Sequence, residues 1–363
     1  MSSKSAVSAP RAFFASMPVS TKSSADWNLN SLLQASRRGR AWARGLVSLA
    51  AALMLVGAFC VPAQAQTLAP IWTQLSPGTS PQAGFQSAMT YDPIHSQAVL
   101  FGGVVEGSYS SNTWLWNGST WTLAASSGPS ARSGSAMAFD AISGKVVLFG
   151  GVDANGNAQQ DTWLWNGSSW SQVALSGNPA NNPPKRFAAS MVYDAALGEI
   201  VLFGGTSANN VTDLNDTWVW NGSTATWTQV NQTGPSARDS FGMAYDSVNQ
   251  EVVLFGGYTN TSYSSETWTF DGTNDWVLQS PANSPPGRDA LVMAYDPELG
   301  ETVMFGGINS QPQNDTWEWN GTTWTNVANN VPSARWNSVM TYDAEQGQLI
   351  LFSGWNAPLP DDT

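Results

Sequence analysis

The feature that most constrains the fold is a unit of about 50 residues that recurs six times along the chain. Five copies contain Phe-Gly-Gly, and the sixth carries the variant Phe-Ser-Gly. The phenylalanines of these tripeptides are Phe101, Phe149, Phe203, Phe255, Phe305 and Phe352. A methionine stands twelve residues before each of them, and this interval never varies, whereas the interval from the phenylalanine to the next tryptophan drifts between 12 and 15. A fixed interval indicates paired strands and a drifting one indicates a loop, so the repeat predicts a propeller or a solenoid.

Each unit contains the pattern of four short strands. The first ends at an aromatic-Asp pair such as Tyr91-Asp92, and its aspartate favours a turn. The second is continuously apolar, as expected of a strand that is buried on both faces. The third has the alternation Thr-Trp-x-aromatic. An Asn-Gly or Asp-Gly turn then predicts a tight hairpin into the fourth, which begins with a tryptophan.

These motifs resemble kelch repeats, as in the galactose-oxidase-type propellers. The resemblance rests on the Gly pair that ends strand two, the Trp that opens strand three and the period, and it covers residues 71–363. It implies an all-β propeller: six blades of four-stranded antiparallel sheet around a central channel.

Two segments bear on how the ring closes. Residues 71–75 resemble a fourth strand, and we predict that this N-terminal strand closes the ring by completing the last blade. At the other end, Asp361-Asp362-Thr363 aligns with the residues just before a third-strand tryptophan. Blade six is therefore expected to be incomplete, with a gap inside its sheet, and we interpret the chain as a fragment.

The first 65 residues predict export. Arg37, Arg38, Arg40 and Arg44 precede an apolar run at residues 46–61, which is followed by Ala63-Gln64-Ala65. This order is typical of a secretory signal cleaved after Ala65. The run is short for a retained membrane anchor. We therefore predict a leader and signal peptide over residues 1–65, a propeller over residues 66–363, and a secreted or periplasmic bacterial protein.

Composition excludes several classes of function. Residues 66–363 carry seven basic and 25 acidic groups, a net charge of −18, which argues against nucleic acid and anionic membrane as partners. The single cysteine, Cys60, leaves with the signal, and the single histidine is His95. Copper chemistry of the galactose oxidase kind is rejected, and a zinc site or a Ser-His-Asp triad lacks its residues. We predict no catalytic residues, no metal and no cofactor.

Binding is expected at one end of the propeller. In an up-and-down blade, the loop that enters strand one and the loop between strands two and three lie at the same end, here called the loop face. The opposite end, the turn face, carries short Asp-containing turns and hairpins. The loops of the loop face differ from unit to unit, and variable loops on a rigid frame are where binding is usually found.

A recurring arginine also reaches the loop face, five residues before the methionine, although the first unit has Gly84 there. The five are Arg132, Arg186, Arg238, Arg288 and Arg335. One interpretation is a ring of guanidiniums that binds a carboxylate-bearing ligand. The other is architectural, with each arginine paired to a local carboxylate. The candidate partners are Asp161, Asp216, Glu266 and Asp315.

Aromatic residues that break the repeat are further binding candidates. They are Phe187, Trp336, Tyr109, Tyr258, Tyr263 and Trp355. Exposed rings beside amides and hydroxyls suit the apolar faces of sugars or a protein partner, although such rings also cover hydrophobic edges.

We therefore predict a non-catalytic, monomeric binding module for a glycan or an extracytoplasmic protein. One alternative is an enzyme acting on an acidic sugar, resembling the kelch-type sialic acid mutarotases. Another is a structural segment of a larger surface protein. Unpaired arginines that converge on the channel would favour the enzyme, and paired arginines with aromatic rings at the rim would favour binding.

Overall fold

The computed structural model describes the propeller and one short N-terminal segment. The described residues are 13–16 (backbone only), 71–174, 177, 181–207, 212–230, 233–273, 275–327 and 332–356. The chain divides into two compact units, residues 1–17 with 69–363 and residues 18–68. The second unit lies outside the described residues, and so does nearly all of the predicted leader and signal.

The described secondary structure is β-strand throughout. In chain order the strands are β1 (Phe13–Ser16), β2 (Ile71–Gln74), β3 (Gly84–Phe85), β4 (Ala88–Asp92), β5 (Gln97–Phe101), β6 (Val104–Val105), β7 (Ser108–Tyr109), β8 (Thr113–Trp116), β9 (Trp121–Ala125), β10 (Ala136–Asp140), β11 (Lys145–Phe149), β12 (Thr162–Trp165), β13 (Trp170–Gln172), β14 (Arg186–Phe187), β15 (Ser190–Asp194), β16 (Glu199–Phe203), β17 (Thr206–Ser207), β18 (Thr217–Asn221), β19 (Thr226–Val230), β20 (Gly242–Asp246), β21 (Glu251–Phe255), β22 (Thr267–Phe270), β23 (Val277–Leu278), β24 (Val292–Asp296), β25 (Glu301–Phe305), β26 (Thr316–Trp319), β27 (Trp324–Asn326), β28 (Val339–Asp343) and β29 (Gln348–Phe352).

Six antiparallel sheets of four strands form the blades. Blades one to five are β4-β5-β8-β9, β10-β11-β12-β13, β15-β16-β18-β19, β20-β21-β22-β23 and β24-β25-β26-β27. Their second strands are buried from the second residue onward, which explains their continuously apolar sequence. The predicted all-β propeller of four-stranded antiparallel blades is confirmed.

Blade six takes two of its strands from the N-terminal part of the chain. Its order is β2-β1-β29-β28, so β2 is the outer strand that the sequence predicted. Trp72 of β2 donates its indole N–H to Thr316 Oγ1 of blade five at 3.1 Å. Trp227 in blade three makes the same contact with Thr162 of blade two, at 2.9 Å.

The third position of blade six, which the sequence left open, is occupied in the uncleaved chain by β1, a strand that lies within the predicted leader. This strand pairs in antiparallel register with β29 on one side and β2 on the other. A gap between two strands presents unpaired backbone N–H and C=O groups on both sides, and an extended segment satisfies both edges.

A closed ring of backbone hydrogen bonds joins the six units at the loop-face end of the channel. Each donor is the residue three positions before the methionine, and each acceptor is its counterpart in the preceding unit. The N–H groups bond from Gln86 to Asn337, Asn337 to Ala290, Ala290 to Ser240, Ser240 to Ala188, Ala188 to Gly134 and Gly134 to Gln86, with N···O distances of 2.6 to 3.1 Å. We call these six residues the amide ring. Because the bond from Gln86 to Asn337 links the first unit to the sixth, the ring closes at six blades.

The amide ring requires an unusual backbone conformation. All six residues have positive φ angles between 51° and 63°, and only Gly134 is a glycine. The left-handed conformation costs other residues about 1–2 kcal/mol each, and it persists where surrounding contacts impose it. Below the ring, the first strands contact one another in sequence and line a central channel of about 550 Å³.

The turn face is built from capped turns. In each unit the aspartate that ends strand one is almost fully buried. Asp246, for example, accepts hydrogen bonds from the backbone N–H groups of Val248 and Asn249 at 2.9 and 3.0 Å. The aspartates therefore satisfy the turn backbone, as their turn-forming role in the sequence predicts.

Glycine substitution, which usually destabilises a folded protein, is expected to be tolerated at amide-ring positions, because their φ angles are positive. We expect Ala290→Gly to leave the free energy of unfolding unchanged or to raise it by up to about 1 kcal/mol, because strain at its φ of 51° is relieved. Ala294→Gly, in extended β24 of the same blade, is expected to lower it by about 1 kcal/mol or more. Urea denaturation of the full chain measures both, and an equal loss in the two variants would contradict the strained ring.

Candidate functional site

The loop face consists of short backbone ladders at equivalent positions of all six units. The residue after the recurring arginine (after Gly84 in unit one) pairs with the residue that follows Gly-Gly. The pairs are Phe85–Val104, Ser133–Val152, Phe187–Thr206, Asp239–Tyr258, Asp289–Ile308 and Trp336–Trp355. In five units the returning loop adds a third member: Tyr109, Ala158, Asp213, Tyr263 or Pro312. We call these sets the bridge positions. The first member of each set directly precedes an amide-ring residue, so the sets surround the channel mouth.

The five recurring arginines are buried beneath the bridge positions, with at most 6% of each residue exposed. Arg132 uses all five of its N–H groups within the protein. Nε donates to the Ser130 carbonyl at 3.0 Å, and Nη2 donates to Ser130 Oγ at 2.8 Å and to Asp161 Oδ2 at 3.0 Å. Nη1 donates to the Gly150 carbonyl and to Asp161 Oδ1. No donor of Arg132 is left for a ligand.

Four of the arginines form ion pairs with the carboxylates that the architectural interpretation named. The pairs are Arg132–Asp161, Arg186–Asp216, Arg238–Glu266 and Arg288–Asp315. Arg335 donates to the carbonyls of Ser333 and Ser353, and Asp361 and Asp362, which align with the paired carboxylates, lie outside the described residues.

Each paired carboxylate also holds a third-strand tryptophan. The indole N–H of Trp218 donates to Asp216 Oδ2 at 2.6 Å, and Trp163, Trp268 and Trp317 make the equivalent bond. Burial raises the pKa of these carboxyls, but hydrogen bonds and charge from the arginine outweigh burial, so that each pKa is lowered overall. The Arg–carboxylate–Trp contact therefore fixes the segment that enters strand one to the start of strand three.

The six aromatic candidates all lie at bridge positions. Trp355 is 44% exposed and makes an edge contact with Phe85 across the junction of blades six and one, at 5.1 Å between ring centroids. Its bridge partner Trp336 has a buried indole N–H with no hydrogen-bond partner among the described residues. In blade four, Tyr258 and Tyr263 form a second edge contact at 5.6 Å, and Tyr263 is 37% exposed. Phe187 and Tyr109 are half-buried at other bridge positions.

Three carboxylates at bridge positions were missed by the sequence analysis. Thr206 Oγ1 lies 3.1 Å from Asp213 Oδ1 and 2.9 Å from Asp239 Oδ2, which joins blades three and four. Asp289 follows in blade five. Asp213 Oδ2 and Asp289 Oδ1 are buried, and neither has a hydrogen-bond partner in the described part of the chain. We call Asp213, Asp239 and Asp289 the acidic cluster.

Two members of the acidic cluster, Asp213 and Asp289, have pKa values above those of free carboxyls. Burial and then the charge of Asp239 raise the pKa of Asp289 to about 7. The same two causes raise the pKa of Asp213. Burial and then the charge of Asp289 raise the pKa of Tyr263. A cation placed between the cluster and the tyrosine pair would offset this accumulated negative charge.

Other chemistry has little support in the described residues. No group of three His, Cys, Asp or Glu side chains within these ranges is arranged to hold a metal ion. His95 lies on the turn face, where its Nδ1 is 2.7 Å from Asp92 Oδ2. Across the same ranges, no helix has the length and apolar character needed to cross a membrane.

Comparison with known proteins assigns the family. Residues 141–354 match the family model described as the KLHDC2/KLHL20/DRC7 Kelch-repeats domain. The match spans more than half of the chain, so this protein belongs to the kelch-repeat family, whose domains commonly serve as protein-interaction modules. No curated protein matches the chain.

Breaking one Arg–carboxylate pair should destabilise the propeller strongly. We expect Asp216→Asn to lower the free energy of unfolding by about 3–5 kcal/mol, because Arg186 would keep its charge, with 1% of its side chain exposed, but lose its counter-ion. Glu298→Gln, at an exposed turn position, is the control and is expected to change it by less than about 0.5 kcal/mol. Urea denaturation at pH 7 measures both, and a loss as small as the control's would rule out a structural role for the pair.

The raised pKa of Asp289 predicts a pH-dependent stability. In the folded protein this pKa is about 7, against about 3.9 when unfolded, so folding favours the protonated form and stability falls as pH rises from about 4 to about 7. We expect Asp289→Asn to match the wild type near pH 4 and to be more stable by on the order of 2–4 kcal/mol at pH 8.

The control for this experiment is Asp275→Asn. Asp275 is exposed, and hydrogen bonds from Thr233 lower its pKa, so its substitution should give no gain at pH 8. Thermal and urea denaturation across this pH range measure the difference. An Asp289→Asn gain that is the same at pH 4 and pH 8 would show that the carboxyl does not titrate between them.

Proposed function

We propose that this protein is a non-catalytic interaction module that binds a polypeptide partner through its loop face. The observation that carries the proposal is the contrast between two layers of the structure. The arginines, carboxylates and tryptophans below the surface recur in units two to five, whereas the bridge positions above them carry a different combination of side chains in each unit. A rigid frame with individual surface residues is the usual design of a recognition site.

The chemistry of the bridge positions suits a basic partner. The acidic cluster lies beside the edge-contacting pair Tyr258 and Tyr263, and carboxylates beside aromatic rings bind lysine and arginine side chains by charge and by cation–π contact. Trp355 and Phe85 provide an apolar contact area elsewhere on the same face. Aromatic anchors of this kind carry much of the energy in protein interfaces.

The pairing of the arginines supports binding over catalysis on an acidic sugar. Such an enzyme needs cationic groups that face its substrate, whereas the N–H groups of Arg132 and Arg238 are all taken up by protein acceptors. The acidic cluster would repel a carboxylate-bearing sugar.

The partner is proposed to be extracytoplasmic. This location rests on the arginines, apolar run and Ala-Gln-Ala site of residues 37–65, which have the order of a secretory signal. A glycan ligand is the alternative that exposed aromatic rings also suit, and it is an outcome of the experiment below.

The proposal is tested by selecting random displayed peptides on the full-length protein and measuring their affinities for variants. We expect enriched peptides to be basic and to bind Tyr263→Ala and Asp239→Asn at least about tenfold more weakly than the wild type, as for truncated interface anchors. The matched control is Ile142→Ala, which removes a 54% exposed apolar side chain from the turn face and should leave affinity unchanged.

Three outcomes would overturn the proposal. One is a failure to enrich peptides, and another is an equal loss of affinity in the turn-face control. The third is a parallel glycan array in which a defined sugar binds the wild type but not Tyr263→Ala or Trp355→Ala, since this would assign the loop face to carbohydrate.

A further inference from the structure

Unit one lacks both members of the Arg–carboxylate pair. Its residue at the arginine position is Gly84, and its residue before Thr-Trp is Asn112, where the next four units have Asp161, Asp216, Glu266 and Asp315. The two positions contact each other in those units, so the pair is missing as a whole rather than broken.

The arginines of the other units define what surrounds a guanidinium here. In each case Nη1 donates to the carbonyl of the residue after the repeat phenylalanine, for example from Arg186 to Gly204 at 2.8 Å. Nε donates to the carbonyl two residues before the arginine, for example from Arg186 to Pro184 at 3.2 Å. The carboxylate and a third-strand tryptophan complete the surroundings.

The counterparts of these groups in unit one line a cavity of about 630 Å³. They are Gly102, Gln82, Asn112 and Trp114, which correspond in turn to the carbonyl acceptor, the residue two before the arginine, the carboxylate and the tryptophan. The Gly102 carbonyl accepts a bond from Ser87 Oγ at 3.2 Å. Its counterpart Gly150 accepts one from Ser135 Oγ and another from Arg132. No described residue hydrogen-bonds the side-chain amide of Asn112. The cavity thus contains hydrogen-bond acceptors equivalent to those that bind the arginine in the other units, but it contains no arginine.

The chain does not fill this cavity from position 84. A Cβ atom at Gly84 would lie 2.3 Å from the Val104 carbonyl oxygen, so the local backbone excludes a side chain. On the neighbouring blade, Ser353 replaces the glycine of the repeat and contacts Gly84. Gly84 donates its N–H to Ser353 Oγ at 2.8 Å, and the same hydroxyl contacts the Gly84 carbonyl.

The walls of the cavity suit a planar cation. Glu106 is the one charged residue among those that line it, and it accepts a hydrogen bond from Gln82 Nε2 at 3.2 Å. Tyr109 and Trp114 contribute aromatic surface, against which guanidinium groups stack. A volume of this size accommodates an arginine side chain together with neighbouring atoms of its ligand.

We propose that the unit-one cavity is a binding site for the guanidinium group of a ligand, which replaces in trans the arginine that the other units carry in cis. The guanidinium donates to the Gly102 carbonyl and to Asn112 Oδ1, stacks on an aromatic wall and faces the Glu106 carboxylate. Both an arginine of a bound polypeptide and a free small guanidine have this chemistry. The site is separate from the acidic cluster and does not depend on the proposed polypeptide partner.

The test is calorimetric titration of the full-length protein with Nα-acetyl-arginine amide and with methylguanidinium, using Nα-acetyl-lysine amide as the matched cation. We expect the arginine compound to bind and the lysine compound to bind at least about tenfold more weakly. A planar guanidinium can donate to both acceptors while it stacks on an aromatic ring, and an ammonium cannot. Similar affinities for methylguanidinium and the arginine compound would identify a free guanidine as the ligand class, and a clear preference for the arginine compound would identify a polypeptide.

The decisive variant is Asn112→Asp, which restores the carboxylate of the other units. We expect it to bind the arginine compound about tenfold more tightly than the wild type, since hydrogen bonds to a charged acceptor are stronger. Asn117→Asp adds the same charge in the hairpin turn after β8 and should change nothing. If Asn112→Asp fails to fold, as judged by its thermal transition, Tyr109→Ala replaces it, with an expected severalfold loss of affinity.

Three results would overturn the site. They are the absence of binding by either guanidinium compound at millimolar concentration, equal affinity for the lysine compound, and equal gains in Asn112→Asp and Asn117→Asp. None of these bears on peptide selection at the acidic cluster, so the two proposals fail independently.

Discussion

The amide ring is the constraint on which the rest of the molecule depends. Six left-handed residues, each donating to the preceding unit and accepting from the next, form a circle that includes the bond from Gln86 to Asn337. A blade more or fewer would change the angle between neighbours and break bonds whose groups have no other backbone partner. The ring also sets the position of the loop face. Because one residue of each set of bridge positions directly precedes a ring residue, the surface side chains are held at the channel mouth by the same bonds that close the ring.

The Arg–carboxylate–Trp contact performs the corresponding task further from the axis. A buried ion pair often contributes little net stability, because desolvation of both charges offsets their attraction. Its value here is geometric: one carboxylate receives the arginine of the segment entering strand one and the tryptophan of strand three. Two separate loops are thereby fixed to each other in units two to five. This leaves the bridge positions free to differ in sequence, since their backbone is held from below.

Sequence periodicity predicted the frame well, because the features that specify it are local. The constant Met-to-Phe interval gave the first hairpin of every blade, and residues 71–75 were recognised as a fourth strand from their likeness to Trp121 and its neighbours. The pairing of β1 in blade six was not predictable, since it depends on an open sheet edge and not on a motif. The amide ring was equally hidden, because Gln86, Ser240 and Asn337 share a backbone conformation and no side-chain type.

The site was predicted less completely, for a physical reason that particular residues illustrate. The aromatic candidates stood out because Phe187 and Trp336 differ in kind from serine or aspartate at the same position. In the sequence, Asp239 and Asp289 look like ordinary polar residues. In the fold, burial and then the charge of Asp239 raise the pKa of Asp289 to about 7. The side chain of Asn112 differs from that of aspartate by a single heavy atom. With Gly84 at the arginine position, however, unit one has a cavity where the next four units have a buried ion pair. In a repeat protein the residues that depart from the repeat are informative, and contacts between them show which departures belong together. Gly84 contacts Ser353, so a departure in unit one and a departure in unit six meet at the junction of blades six and one.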